Sequence, residues 1–437
     1  MSTQPQQLID EIDNYLKRLF PITRSITGDG NRETLRILQE IAPIEIKEYP
    51  SGSTVYDWTI PDEWNIQDAW IKDSKSKKLV DFKQSNIHVV SYSEPINQKI
   101  TFAELKERLH RHQNLPDAIP YRTTYYKRDW GFCVTDKQYS ELEKATGLLE
   151  LNIDSSFNAK GSMTIGELLI PGTSKQEILI STYICHPSLA NDNLSGMVMT
   201  AFLARELLKH KSIYSYRIIW VPETIGAITY CAMNELDMKK INLGLVVTTV
   251  GGPGQFGYKQ SFDKNNRINT IIEKTFNDEC IDFITYPFNI HGSDERQYSS
   301  QGFRINVASI HSDKYYEYSY YHSSLDNLGF IKSERILKSM LLYLKVIKEL
   351  DDDPVYINNF PDGEVMLSKH NLYPSIGGVQ LPNINNIDIL DATLWLLWCC
   401  DGKTGLRQIA NNLGLEMEYL DSLALDLSKK KLLEKLV

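Results

Sequence analysis

The sequence predicts an α/β protein with a mostly parallel mixed sheet, helices on both of its faces, and two smaller domains. Near-continuous apolar segments such as QEILISTYICH and YRIIWVP have the composition of buried central strands. Amphipathic segments such as LSGMVMTAFLARELLKH alternate with them, which is typical of a parallel sheet covered on both faces. Two other regions depart from this alternation, and we interpret them as separate domains.

The elements follow one another in a simple order. Residues 5–22 predict an amphipathic helix at the start of the core domain. The segment 58–142 is rich in aromatic residues and short β-like segments, and predicts an inserted β-rich domain. Alternation of strands and helices resumes at 143–351, beginning with a predicted hairpin at 147–170. The core domain is therefore expected to be discontinuous, with 1–57 as its first part.

Residues 352–437 predict a winged-helix-like domain, because three helical segments include a pair with helix-turn-helix spacing around Gly414. A DNA-binding regulator is one interpretation of this domain. The second helix of the pair begins with Glu416 and Glu418, however, and acidic groups there repel phosphate. We therefore favour a protein-contact or dimerisation module, and expect a homo-oligomer that does not bind nucleic acid.

Charge and composition narrow the possible classes of protein. The formal net charge is −9, which disfavours a general binder of nucleic acid or of anionic membranes. No apolar segment approaches the length of a membrane-spanning helix, and the N-terminal residues lack the apolar core of a signal peptide. The six cysteines form no CxxC motif, which fits a reducing compartment. We expect a cytoplasmic protein with no membrane partner.

Polar residues with metal-binding chemistry follow the predicted central strands. His186 ends the first buried strand and Asp192 lies in the turn after it, while Glu223 ends the next strand. His322 lies in a tyrosine-rich loop before the last long helix. Sites in open α/β sheets form at the carboxyl ends of strands. Two imidazoles and a carboxylate suit zinc and leave a fourth position for water, and a free carboxylate can then accept a proton from that water.

Several motifs in combination resemble a known family. The segments CHPSLANDNLSG, PETIG, YRTTYYKRDWGFC and YHSSLDN are similar to those of bacterial polysaccharide-biosynthesis proteins with an aminopeptidase-like domain, a group within the zinc aminopeptidase-like clan. The resemblance covers essentially the whole chain. It implies a zinc aminopeptidase-like fold, an inserted β domain and a C-terminal winged helix. It also implies that His186, Asp192 and His322 bind the metal and that Glu223 is the catalytic base.

Two positions depart from the pattern of the clan, whose site holds two metal ions. Thr224 stands where a glutamate ligand is expected, and Thr248 stands where an aspartate ligand is expected. A neutral hydroxyl is a poor substitute for a carboxylate on such cations. The sequence therefore predicts a single zinc ion.

Four other residues are candidates for contacts with substrate, each with a structural alternative. Asp294 and Asp326 match acidic positions of the resemblance, although both also suit loop or turn structure. Arg296 could pair with a carboxylate of the substrate, and His291 could contact it, although loop histidines are more often satisfied within the protein. For the predicted ligands the alternatives are structural too: Asp192 could cap the helix that follows it.

Cys185 precedes His186 and raises the question of a cysteine nucleophile. Adjacent residues of a strand point to opposite faces, so we do not expect them to form a nucleophile–base pair. The hypothesis that remains is a zinc-dependent, aminopeptidase-like hydrolase of a small amide or peptide-like substrate, linked to polysaccharide biosynthesis. A metal-binding protein that holds a ligand without hydrolysing it is the alternative, because two carboxylate ligands are missing.

Overall fold

A computed structural model describes residues 5–373 and 388–437. Its α-helices are α1 (Pro5–Leu19), α2 (Asp29–Leu38), α3 (Phe102–Leu105), α4 (Asp136–Lys144), α5 (Gly196–Leu207), α6 (Ile225–Met233), α7 (Glu235–Met238), α8 (Arg267–Asp278), α9 (Glu295–Tyr298), α10 (Ser333–Asp351), α11 (Ile389–Cys399), α12 (Leu406–Leu413) and α13 (Met417–Lys429). Its strands are β1 (Glu45–Pro50), β2 (Thr54–Val55), β3 (Trp58–Thr59), β4 (Glu63–Lys72), β5 (Lys78–Asp81), β6 (Ile96–Ile100), β7 (Leu109–His110), β8 (Phe132–Cys133), β9 (Leu149–Asn158), β10 (Ser162–Ile170), β11 (Glu177–Tyr183), β12 (Ser215–Val221), β13 (Leu243–Val246), β14 (Phe256–Lys259), β15 (Phe283–Tyr286), β16 (Asn306–His311), β17 (Val355–Asn358), β18 (Asp401–Gly405) and β19 (Leu433–Lys435).

The central sheet has eight strands in the order β1-β10-β12-β11-β13-β16-β14-β15, and its middle strands β12, β11, β13 and β16 run parallel. Alternate residues of β11 enter two different apolar clusters. Ile178 and Ile180 pack with α1, α5, α8 and α10, whereas Leu179 and Tyr183 pack with α6, α7 and α9. Successive side chains of a strand point to opposite faces. Helices therefore cover both faces, which confirms the predicted fold class.

The smaller sheet of the inserted region contains four antiparallel strands in the order β5-β4-β9-β6. The predicted hairpin at 147–170 is wrong, because β9 pairs with β4 and β6 whereas β10 pairs with β1 and β12 of the central sheet. The chain turns at Gly161, but the two strands then belong to two different sheets. We therefore propose that the inserted domain, predicted as 58–142, extends to Asn158.

The C-terminal region folds as a small domain around its own apolar core. Helices α11, α12 and α13 pack against the sheet β18-β17-β19. Gly414 separates α12 from α13 with a φ of +66°, a conformation that glycine adopts without steric cost. The winged-helix architecture is thus confirmed. Among the described residues, no helix is long and apolar enough to cross a membrane.

Asp353 joins the C-terminal domain to the core. Its carboxylate is buried and accepts a hydrogen bond from Arg267 of α8 at 3.0 Å and one from the backbone N–H of Arg407 in α12 at 2.9 Å. Arg267 is itself only 4% exposed. The pair therefore fixes the small domain against the central sheet.

We expect Asp353→Ala to destabilise the protein by about 3–5 kcal/mol, because it leaves the buried charge of Arg267 without its partner. Chemical denaturation followed by circular dichroism measures the change. The control is Asp426→Ala, which removes an exposed ion pair with Lys429 and should leave the unfolding midpoint unchanged. Equal midpoints for the two variants would contradict this role of Asp353.

Candidate metal centre

The predicted ligands meet at the carboxyl ends of the central strands. His186 lies just beyond β11, and Asp192 lies in a tight turn of π-helical hydrogen bonding, Ala190–Ser195, that leads into α5. Asp192 Oδ2 is 4.0 Å from His186 Nε2 and 3.1 Å from His322 Nε2. One donor atom from each of these three residues lies within 4.8 Å of the others. The structure thus brings the three predicted ligands together.

The donor set fits a zinc ion on the evidence of its unpaired atoms. Asp192 Oδ2 and His322 Nε2 are buried, and neither makes a hydrogen bond of acceptable geometry within the described protein. Two adjacent ligands of tetrahedral zinc with nitrogen and oxygen donors lie about 3.3 Å apart. The observed separations of 3.1 and 4.0 Å therefore need only a small adjustment. Two imidazoles and one carboxylate are ligands that zinc accepts.

Contacts behind His186 fix its orientation. Arg24 is fully buried and donates from Nε to the carbonyl oxygen of His186 at 2.8 Å. On the ring, Nδ1 lies 3.4 Å from the sulfur of Cys185. With Nδ1 as the protonated nitrogen, Nε2 keeps its lone pair and faces Asp192. Sequence reasoning missed Arg24, because a contact between residues 24 and 186 leaves no local signal.

The expectation that Cys185 and His186 point apart is wrong. Strand β11 ends at Tyr183, so the alternation of a strand no longer applies at Cys185. The thiol is nevertheless unsuited to be a nucleophile, because burial raises its pKa well above the ordinary value and the charge of Glu223 raises it further. Cys185 instead accepts a hydrogen bond from the backbone N–H of Glu223 at 3.2 Å.

Asp326 holds the turn that carries Asp192. Its carboxylate accepts the backbone N–H groups of Asn191 and Asp192 at 2.7 and 3.0 Å, and the hydroxyl of Tyr318 at 2.9 Å. Burial, followed by the charge of Asp192, raises the pKa of Asp326 to about 7. The structure therefore places Asp326 behind the ligand turn. Its predicted role in substrate binding stays a prediction.

The pKa of Asp192 is shifted in the opposite direction. Its burial acts to raise the value, but the neighbouring imidazole of His186, together with His322 and Tyr183, outweighs burial and lowers the pKa below the ordinary value. Asp192 is therefore an anion in its buried position. An anionic carboxylate with one unpaired oxygen is a suitable metal ligand.

The loop that carries His322 is fastened to the inserted domain. Tyr121 donates its backbone N–H to the carbonyl oxygen of His322 at 2.7 Å, and Ser324 donates its own to Ile119 at 2.9 Å. The ring of Tyr121 also packs beside both imidazoles, with its centroid 5.2 Å from that of His186 and 5.1 Å from that of His322. His322 has a φ of +52°, which is rare for a residue with a side chain. These contacts hold the candidate ligand His322 in its strained conformation.

Glu223 is positioned with one carboxylate oxygen held and the other free. Ser293 donates to Oε1 at 2.8 Å, while Oε2 lies 3.9 Å from His186 Nε2. Burial, together with the charge of Asp192, raises the pKa of Glu223 to about 7. Its side chain is still 29% exposed, so solvent reaches part of it. Ser293 was not predicted from the sequence, because a single loop serine is not a distinctive signal.

Of the remaining candidate residues, Asp294 supports a turn of the site, whereas Arg296 and His291 lie at its edge. Asp294 is buried and accepts the backbone N–H of Thr224 at 2.7 Å, and burial with the charge of Glu223 raises its pKa well above the ordinary value. Asp294 thus supports the turn after Glu223, at which Thr224 has a φ of +65°. Arg296 is half-buried nearby, and His291 is exposed and contributes only its carbonyl oxygen, which accepts from Lys259 at 2.9 Å. Their predicted roles in substrate binding stay predictions.

Comparisons with known proteins extend over the whole chain. The model of a family described as a domain of unknown function (DUF4910) matches residues 13–353, and one described as a winged helix-turn-helix matches residues 354–435. A protein of Clostridium acetobutylicum, named as a candidate polysaccharide biosynthesis protein with an aminopeptidase-like domain, is 41% identical over 424 residues, which are 97% of this chain and 96% of the relative.

Solved structures show the same similarity. The crystal structure of a candidate peptidase from Clostridium acetobutylicum matches with a TM-score of 0.80 at 39% identity and covers 99% of this chain and 97% of its own. BSAP, a zinc aminopeptidase from Bacillus subtilis, matches with a TM-score of 0.58 at 12% identity, over 79% of this chain and 95% of its own. At that identity the second likeness is one of fold alone.

We expect Asp326→Asn to weaken zinc binding by about 10–100-fold, because the amide cannot accept both backbone N–H groups of the ligand turn. Competition with a chromophoric chelator measures the affinity. Asp313→Asn is the matched control: its carboxylate accepts the backbone N–H of Gly254 at 2.9 Å and contacts no candidate ligand. A folded Asp326→Asn protein that binds zinc as tightly as this control would contradict the assigned role.

Proposed function

The chain belongs to the DUF4910 family, in the group of polysaccharide-biosynthesis proteins with a zinc aminopeptidase-like fold and a C-terminal winged helix, and we propose that it is a zinc-dependent amide hydrolase with a single metal ion. One observation carries the proposal. The donor atoms of His186, Asp192 and His322 converge beside a carboxylate, Glu223, that has an oxygen free of hydrogen bonds in the described protein.

A zinc ion held by His186, Asp192 and His322 would supply Lewis acidity, which polarises an amide carbonyl and acidifies water in the site. Glu223 is the residue suited to accept the proton. Its Oε2 faces the imidazole of His186 at 3.9 Å, and Ser293 prevents rotation by holding Oε1. The same carboxyl group can return the proton to the leaving amine, because its pKa lies near neutrality in this environment.

The substrate we propose is a small amide with a peptide-like or N-acyl amino-sugar structure. The name of the relative from Clostridium acetobutylicum supports the link to polysaccharide biosynthesis. The aromatic surroundings of the site support a compact organic ligand: Tyr121 and Tyr321 contact the imidazoles, and Tyr316, which packs on Tyr321, is exposed. An extended protein substrate has no comparable support.

The winged helix is proposed to contact protein, in a homo-oligomer or with another chain. Helix α13 has Glu416 at its N-cap and Glu418 in its first turn, and these charges oppose a phosphate backbone. On α11 the indole of Trp398 is 83% exposed and that of Trp395 is 46% exposed, and aromatic residues of this kind are enriched in protein interfaces. The cytoplasmic location and the oligomer remain predictions.

We expect the purified full-length protein to contain about one zinc ion per chain, and Glu223→Gln to keep that ion while lowering turnover at least about 100-fold. The amide is isosteric with the carboxyl group but cannot accept a proton. Elemental mass spectrometry measures the zinc, and a panel of aminoacyl anilides and N-acetyl amino sugars measures the turnover. Glu235→Gln, at an exposed acid in the first turn of α7, is the control and should change neither value.

The panel also separates this proposal from the non-hydrolytic alternative. Turnover by the zinc-loaded wild type that is lost in Glu223→Gln supports the hydrolase. Zinc binding without turnover of any compound, together with saturable binding of one of them in calorimetry, supports a protein that holds its ligand without cleaving it. A retarded DNA band at low salt would instead support the regulator interpretation.

A further inference from the structure

The two carboxylate oxygens of Asp192 have different environments. Oδ2 faces the imidazoles of His186 and His322 and makes no hydrogen bond of acceptable geometry within the described protein. Oδ1 accepts a hydrogen bond from the phenol hydroxyl of Tyr183. Only Oδ2 is therefore available to a metal ion without breaking an existing bond.

Tyr183 is supported by Thr248, and the sheet accounts for this contact. Strands β11 and β13 are parallel neighbours in which Ser181 lies opposite Val246. The same register, extended by two residues, places Tyr183 beside Thr248 at the carboxyl ends of the strands. Their hydroxyl oxygens are 2.6 Å apart, and the residues are 2% and 0% exposed, respectively. Tyr183 and Thr248 thus form a buried, hydrogen-bonded pair next to Asp192.

The direction of each hydrogen bond follows from proton counting. An ionised carboxylate has no proton and can only accept, so the single proton of the Tyr183 hydroxyl is donated to Asp192. The hydroxyl of Thr248 must then donate to the phenol oxygen. The result is a directed chain, Thr248 to Tyr183 to Asp192, in which a proton donor occupies the space next to Oδ1.

A second cation beside Oδ1 would meet no suitable ligands. A dication needs anionic or strong neutral donors, and the nearest supporting group, Thr248, is a neutral hydroxyl whose proton is directed at Tyr183. Thr224 offers only another neutral hydroxyl. Among the described residues, the groups of histidine, cysteine and acidic side chains able to hold a metal are His186–Asp192–His322 and Cys185–His186–Glu223, and neither includes this space.

We propose that Tyr183, held by Thr248, takes the place of a second metal ion: its hydroxyl satisfies Asp192 Oδ1 and limits the carboxylate to one zinc. Tyr183 is a positioning residue here, since it acts through Asp192. The inference rests on the zinc site of the proposed function, although it does not require hydrolysis. The sequence alone showed that two carboxylate ligands are missing, whereas the group that fills the space is visible only in the structure.

The test measures metal content in full-length variants after incubation with excess zinc and desalting. Wild type is expected to hold one ion per chain. The double variant Tyr183→Phe, Thr248→Asp removes the proton donor and adds a carboxylate, and is expected to hold two. Elemental mass spectrometry gives the ratio, and calorimetric titration of the metal-free protein gives the number of sites independently.

The single variant Tyr183→Phe provides a second measurement if the double variant does not fold. It preserves the ring but frees Oδ1, and is expected to keep one zinc with an affinity lowered about 10–100-fold, because Asp192 loses the bond that orients it. Tyr343→Phe is the matched control. Tyr343 is also fully buried, but its hydroxyl donates to a backbone carbonyl of the central sheet, so the affinity should not change.

The outcomes are distinguishable. A wild type that binds no zinc overturns the proposed metal site and this inference with it. A wild type with two ions, or a folded double variant that still holds one, overturns the inference and leaves the zinc site standing. Unchanged zinc affinity in Tyr183→Phe would likewise show that the hydroxyl does not position Asp192.

Discussion

The burial of negative charge around Asp192 is the constraint on which the site depends. Four carboxyl groups, those of Asp192, Glu223, Asp294 and Asp326, lie close together where the central strands end, and three of them have a raised pKa because of burial. Isolated charges in such an environment are costly unless they are paired or coordinate a metal. Backbone N–H groups satisfy both oxygens of Asp326 and one oxygen of Asp294, and hydroxyls satisfy one oxygen each of Asp192 and Glu223. The unpaired oxygen of Asp192 is left to a cation.

The parallel sheet explains why these groups can be held so closely. His186, Glu223 and Thr248 each follow the end of a neighbouring strand, so the spacing of the strands sets the spacing of the side chains. The loops then carry the strain, with positive φ values of +65° at Thr224 and +52° at His322. Such conformations persist where surrounding contacts impose them. Asp294 and the inserted domain supply those contacts.

The sequence was sufficient for the parts of the structure that depend on local pattern. Apolar strands predicted the sheet, and the ends of those strands predicted where His186 and Glu223 lie, because both signals are contained within a few residues. The prediction of a hairpin at 147–170 was wrong, because the alternation of apolar and polar residues is the same in any half-buried strand. The pairing of β9 with β4 is set by contacts between residues distant in the chain. Tyr183, Arg24 and Tyr121 were missed for a similar reason. In the sequence each is a tyrosine or an arginine without a local signal of its role, which it acquires only through a distant partner.

The inserted domain and the candidate metal site are joined by backbone hydrogen bonds, so we expect their stabilities to be coupled. The insertion lies more than a hundred residues before His322 in the chain, yet Tyr121 donates to the carbonyl oxygen of His322 and Ser324 donates to Ile119. A ligand that fixes the imidazole of His322 therefore stabilises the docking of the inserted domain, and docking of that domain in turn pre-organises His322. Linkage makes the two effects equal in free energy. An insertion that looks separable in the sequence is thus expected to contribute to the affinity of a proposed site whose candidate ligands all belong to the core.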